Sequence, residues 1–136
     1  MHRDRLNAYL KAVRGETFSW GRHDCLTFTN DAFRAMYGEG WADDWLGRYM
    51  DGDRVLRRSE LIKEFGYSDF SKALDDRLQR VNHIPPLGSL VVTSKARKWV
   101  TGVAMGICTG SKAAFLDKVG VIYLNLDDID AAWIKT

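Results

Sequence analysis

Two cysteines in 136 residues, Cys25 and Cys108, are too few for the disulfide framework that staples small secreted domains, so reduced thiols are expected. The chain also lacks any apolar run of membrane-span length. Its first residues, Met1-His2-Arg3-Asp4-Arg5, contain no apolar signal core, so synthesis in the cytosol without an export address is expected. An excess of one charge is missing too: 20 Lys+Arg stand against 18 Asp+Glu, a net +2. A dedicated nucleic-acid binder would carry a stronger basic bias, so no specific nucleic-acid partner is expected. Neither Cys-x-x-Cys nor His-x-x-x-His spacing occurs, and a zinc site built from Cys25, His23, Asp24 and Cys108 would lack well-placed ligands. No metal and no cofactor are therefore expected. There are no internal repeats and no low-complexity linker.

The chain is nevertheless able to build a core. With 46% hydrophobic residues it should bury roughly two-thirds of its unfolded surface as one domain, whereas two domains would each be too small to stand unaided. A single domain over residues 1–136 is expected. Five tryptophans are many for this length, and such residues are enriched at protein contacts, which favours an assembly partner.

Leu6, Tyr9, Leu10 and Val13 recur at helical spacing, predicting a helix over 5–13 with Asp4 as N-cap and Gly15 beyond its end. A short link leads to Asp24, a good N-cap for a helix carrying Leu26, Phe28, Phe33 and Met36 and stopped by Gly38. Residues 40–52 read as a loop or short helix studded with Trp41, Trp45 and Tyr49. Two more helices are predicted over 54–65, ended by Gly66, and over 70–81, before Ile84-Pro85-Pro86 resets the chain. After Gly88 the pattern changes to β-type runs over 89–93, 103–109, 113–116 and 121–124, and a last short helix from Asp127 or Asp128 to near Trp133. Helices followed by strands predict an α+β fold with N-terminal helices packed on a C-terminal antiparallel sheet.

The one concentrated chemical signal is Trp20-Gly21-Arg22-His23-Asp24-Cys25. Cys25 falls in the first helical turn, where unpaired N–H groups lower a thiol pKa and stabilise the nucleophilic thiolate. Free cysteine is also commonly just a small buried hydrophobe. His23, two residues earlier, is the nearest candidate base, although a histidine just outside a helix N-terminus is ordinarily a surface or capping neighbour. Asp24 has a structural role as the cap. His83 reads as a solvated turn residue, His2 as part of a fraying terminus, and Cys108 as core. Arg54-Arg57-Arg58 and Lys95-Arg97-Lys98 read as solvated faces, and Trp99, in a basic turn, as an exposed anchor.

The stretch Phe18-Ser19-Trp20-Gly21-Arg22-His23-Asp24-Cys25, the later Gly-hydrophobic-x-x-Gly strand pair and Ala132-Trp133 resemble a family of small phage and prophage proteins, the DUF6950 type. The aromatic-Gly-x-x-Asp-Cys turn is also similar to the NlpC/P60 branch of papain-like cysteine hydrolases. Pro86-Leu87-Gly88-Ser89-Leu90-Val91-Val92 and Val103-Ala104-Met105-Gly106-Ile107-Cys108-Thr109-Gly110 resemble that branch's next two strands. The resemblance implies a papain-like fold with Cys25 as nucleophile and a base at the start of the second strand. That position holds Ala104, which cannot exchange a proton, and no His, Asn or Asp lies at 112–114 to orient a base. The expectation is a structural phage tail-tip protein on an inactive hydrolase-like scaffold, docked on hub, tip or fibre proteins. It would be made in the host cytoplasm and carried in the virion. The alternatives are an active cysteine peptidase or amidase using Cys25 with His23 or His83, cleaving peptidoglycan or a tail protein, and an assembly chaperone.

Overall fold

Apolar residues four apart, Leu6 and Leu10, give the first helix a buried stripe that packs against the second. A computed structural model describes residues 1–96, 98–99 and 102–136. Helix α1 spans His2–Val13, three residues longer at its start than the apolar pattern predicts. Asp4 is therefore not its cap but sits inside the first turn, where a carboxyl faces the positive end of the helix dipole. Helix α2, Cys25–Tyr37, begins at Asp24 and ends at Gly38, both as predicted. It is buried on nearly every side, because α1 covers one face and the sheet covers another.

The region expected to be helical over 54–65 divides. Met50–Asp51 (β1) and Arg54–Val55 (β2) form a two-stranded hairpin, and helix α3 occupies only Arg58–Phe65. Glu60 accepts a hydrogen bond from the Arg57 N–H at 2.9 Å, which sets the helix start after the hairpin. The next helix, α4, runs Phe70–Arg77 rather than to residue 81. Leu78 turns to extended backbone, and Gln79–Val81 becomes strand β3 because a partner strand accepts its backbone groups.

That partner overturns the expected terminal helix. A 3₁₀ turn at Leu126–Asp128 is all that forms of it, and Ala131–Ile134 is strand β8. The remaining strands are Leu90–Thr93 (β4), Ala104–Cys108 (β5), Lys112–Asp117 (β6) and Gly120–Asn125 (β7). The six-stranded sheet has the order β3-β8-β4-β5-β6-β7 and every pair is antiparallel. Strand β8 is an interior strand between β3 and β4, so Trp133 lies between Leu90 and Arg80 and is wholly buried, its indole N–H on Asp75 Oδ1 at 2.8 Å. The link after α1 lies along the outer edge of β7, with Val121 N–H on Arg14 O at 3.0 Å and Phe18 N–H on Lys118 O at 3.3 Å. It shields the start of an edge strand that has neither charge nor proline.

The fold is thus mixed α+β, helices against an antiparallel sheet, with β5 and β6 beneath α2. Among the described residues no helix is long and apolar enough to cross a membrane. One member of each basic group is paired: Arg54 with Asp51 at 3.0 Å and Glu60 at 2.9 Å, and Lys95 with Asp128 at 2.9 Å. Arg97 of the second group lies outside the described residues.

Candidate functional site

The motif Trp20-Gly21-Arg22-His23-Asp24-Cys25 is a turn closed on itself. Ser19 and His23 exchange backbone bonds, Ser19 N–H to His23 O at 2.9 Å and His23 N–H to Ser19 O at 2.8 Å. Gly21 carries the left-handed backbone this closure needs, φ 79°, and a side chain there would press on Met50 at 3.1 Å. Its N–H donates to Asp24 Oδ2 at 2.8 Å. Asp24 then caps α2, accepting from Thr27 N–H at 3.0 Å through Oδ1, while Thr27 Oγ1 accepts from Asp24 N–H at 2.8 Å. The glycine and the aspartate of the motif thereby serve one purpose, setting the start of α2.

Sequence reasoning missed the residue that completes this turn. Tyr49 donates its hydroxyl to Asp24 Oδ2 at 2.5 Å, and both side chains are buried. Burial pushes the Tyr49 phenol far above its ordinary range, with further contributions from the charges of Asp24 and Cys25 and the bond to Asp24. The phenol therefore stays protonated and acts as a donor. Only the aromatic loop composition hinted at Tyr49, because the contact joins residues 25 positions apart.

Cys25 opens α2 with 0% exposure, and its carbonyl accepts from Thr29 Oγ1 at 2.8 Å. His23 is 8% exposed, more buried than a helix-flanking histidine was expected to be. Its Nδ1 is 3.4 Å from Glu16 Oε2 and its ring stands edge-on to Phe28, with centroids 6.2 Å apart. Nε2 is buried without a hydrogen-bond partner, so it makes no bond to the Cys25 sulfur. His83 is exposed, Nδ1 2.9 Å from Ile84 O. Ala104 opens β5 fully buried, paired with Thr93 across the ladder. Cys108 is core, as expected, and burial pushes its thiol up. His2 packs edge-on against Tyr37, with centroids 4.8 Å apart, so the N-terminal turn has a tertiary contact.

Beyond Tyr49 the aromatic side chains form a string. Trp99 stands 5.0 Å from Tyr49 and 5.7 Å from Phe70, Phe70 6.4 Å from Trp45, and Trp45 5.2 Å from Phe65. Trp99 is only 5% exposed, so the expected exposed anchor is instead a buried member of this string. The string reaches a cavity of about 300 Å³ between α3, α4 and the sheet.

A family model described as a domain of unknown function (DUF6950) matches residues 1–134. The chain belongs to this family. No curated protein matches the sequence. In this DUF6950 chain the Trp-Gly-x-x-Asp-Cys turn is a closed, internally bonded helix start in which a tyrosine meets the aspartate. Among the described residues no group of three or more His, Cys, Asp or Glu side chains is arranged to hold a metal ion.

Proposed function

We propose that this protein is a non-catalytic structural component of a phage tail, built on an NlpC/P60-like body and docked on hub, tip or fibre proteins. The phage setting rests on the resemblance of the Phe18–Cys25 motif and the later strands. The loss of catalysis rests on one observation: Cys25 is wholly enclosed, and the strand that should present its base opens with buried Ala104. A nucleophile needs both access and a proton acceptor, and the nearby phenol of Tyr49 cannot accept a proton. The test is mass spectrometry and cryo-EM of tails purified from the phage or induced prophage that encodes the chain. Finding it at fixed stoichiometry at the tip supports the proposal; its absence from finished particles overturns it. Presence only in assembly intermediates would favour the chaperone role instead.

A second reading, a cysteine hydrolase with Cys25 as nucleophile and His23 as base, is favoured by His23 itself. A carboxyl 3.4 Å from Nδ1 orients the ring, and Nε2 is uncommitted. Helix N-terminal amides would hold the oxyanion. Rapid labelling of Cys25 by a thiol-reactive probe near pH 6, lost in His23→Ala, would establish this reading and displace the first.

A further inference from the structure

Four aromatic rings, Trp45, Phe65, Phe70 and Trp99, wall the cavity between α3, α4 and the sheet. At about 300 Å³ it lies at the bottom of the range of ligand pockets, the size of a single amino acid and too small for a nucleotide or flavin. Two charged residues line it among the described residues, Arg58 and Asp69, and both are exposed. They are opposite in sign, yet neither forms an ion pair. Arg58 donates to Ser68 O at 3.2 Å, and Asp69 Oδ1 accepts from Ser71 N–H at 3.0 Å, so each meets only a neutral backbone group. The nearby arginines behave differently: Arg48, Arg54 and Arg77 are paired with Glu64, Glu60 and Asp44. Arg58 also opens α3, the end of a helix whose dipole does not favour a cation. Its guanidinium is held beside residue 68, next in sequence to Asp69, so the two charges flank one mouth.

An apolar cavity with one unpaired cation and one unpaired anion at its mouth is complementary to a zwitterion with an apolar body. A carboxylate alone would meet Arg58 but face the like charge of Asp69; an ammonium alone would meet Asp69 but face Arg58. A hydrocarbon would leave both charges unmet. We propose that this cavity binds a free α-amino acid with a bulky apolar side chain. Its carboxylate pairs with Arg58, its ammonium with Asp69, and its side chain packs among the aromatic rings. Neither the tail reading nor any chemistry of Cys25 enters into this binding.

The test is an NMR titration of the whole ¹⁵N-labelled chain, read from the amide resonances of α3 and α4. L-phenylalanine is expected to shift them saturably, with a dissociation constant on the order of 1 mM. 3-Phenylpropanoate, which lacks the ammonium, and phenethylamine, which lacks the carboxylate, should each bind about fivefold more weakly. Two variants separate the charges. Arg58→Gln, which keeps a donor for Ser68 O, should weaken phenylalanine about fivefold and leave phenethylamine no weaker. Asp69→Asn, which still caps α4, should weaken phenylalanine by a similar factor and leave 3-phenylpropanoate no weaker. Both residues are exposed, so the melting temperature should hold. The proposal is overturned if phenylalanine at about 10 mM shifts nothing in α3 or α4. It is equally overturned if a singly charged analogue binds as tightly as phenylalanine, or if either variant leaves phenylalanine binding unchanged. Tighter binding of glycyl-phenylalanine, whose ammonium lies farther from its carboxylate, would assign the cavity to a peptide end and overturn it as well.

Discussion

The Tyr49 hydroxyl donates to Asp24 Oδ2 at 2.5 Å, so the cap of α2 is held by a residue from the aromatic loop rather than by its own turn alone. Asp24 accepts from Gly21, Thr27 and Tyr49 together, which ties the motif turn, the helix and the loop to one buried carboxyl. Tyr49→Phe keeps the ring packing on Trp99 and removes only this bond. Hydrogen bonds to a charged group contribute about 1.5–3 kcal/mol, so urea denaturation should show a loss of about 2 kcal/mol. An unchanged midpoint would mean the bond adds nothing net.

A methyl group at Gly40 is expected to be worse than the loss of that bond. An added Cβ would lie 2.1 Å from Asn30 Oδ1, and that oxygen accepts from Ala42 N–H at 2.7 Å. Asn30 also donates to Asp43 at 2.8 Å, so it cannot swing away without releasing both bonds. Gly40→Ala should destabilise by about 2–4 kcal/mol, combining overpacking with a lost buried hydrogen bond. Calorimetry against Gly15→Ala, where an added Cβ meets nothing within 4 Å and the backbone, as at Gly40, is not left-handed, isolates the collision.

Acid should loosen the protein over a defined window. The Trp133 and Arg80 donors hold Asp75 low, Arg77 holds Asp44 low, Asn30 holds Asp43 low, and Arg54 with the Arg57 N–H brings Glu60 to about 2. A carboxyl depressed in the folded state contributes stability above its unfolded value and loses it as pH falls through the folded value. The melting temperature should therefore fall from about pH 4 to about pH 2, with burial-raised Asp31 acting in the opposite sense. Asp75→Asn, which still accepts from Trp133, should fall less steeply over that window. These groups are largely exposed, so each step is small.

Both thiols should be slow to label. Cys25 and Cys108 are each fully enclosed, and burial keeps the Cys108 thiol protonated. Reaction with a disulfide reagent at neutral pH should run orders of magnitude slower than in denaturant, and should follow the opening of the fold. Fast native labelling of Cys25 would show an accessible, activated sulfur and would end the non-catalytic proposal.

Much of the helical half is legible because its signals are local. Asp24 and Gly38 bound α2 where their chemistry says they should, since a cap and a left-handed glycine act within one turn. The strands β4 to β7 follow their apolar runs and turns for the same reason. Residues 79–81 and 131–133 carry a helical pattern yet lie in strands, because the two segments pair with each other across 50 or so residues of chain. The candidate site was half legible. Cys25, Asp24 and His23 stand out in the motif, but Tyr49, Glu16 and the burial of Trp99 belong to contacts that no spacing encodes.

Taken alone, the amino-acid order determines where α2 starts, that Cys108 belongs to the core, and that residue 104 cannot move a proton. Each of these depends on residue chemistry or a single turn. Tertiary structure decided that β8 lies inside the sheet, that a tyrosine closes the Asp24 turn, and that Trp99 lies buried with its N–H unmet. Those outcomes depend on which distant segments desolvate one another, a property of the packed chain and not of any one stretch of it.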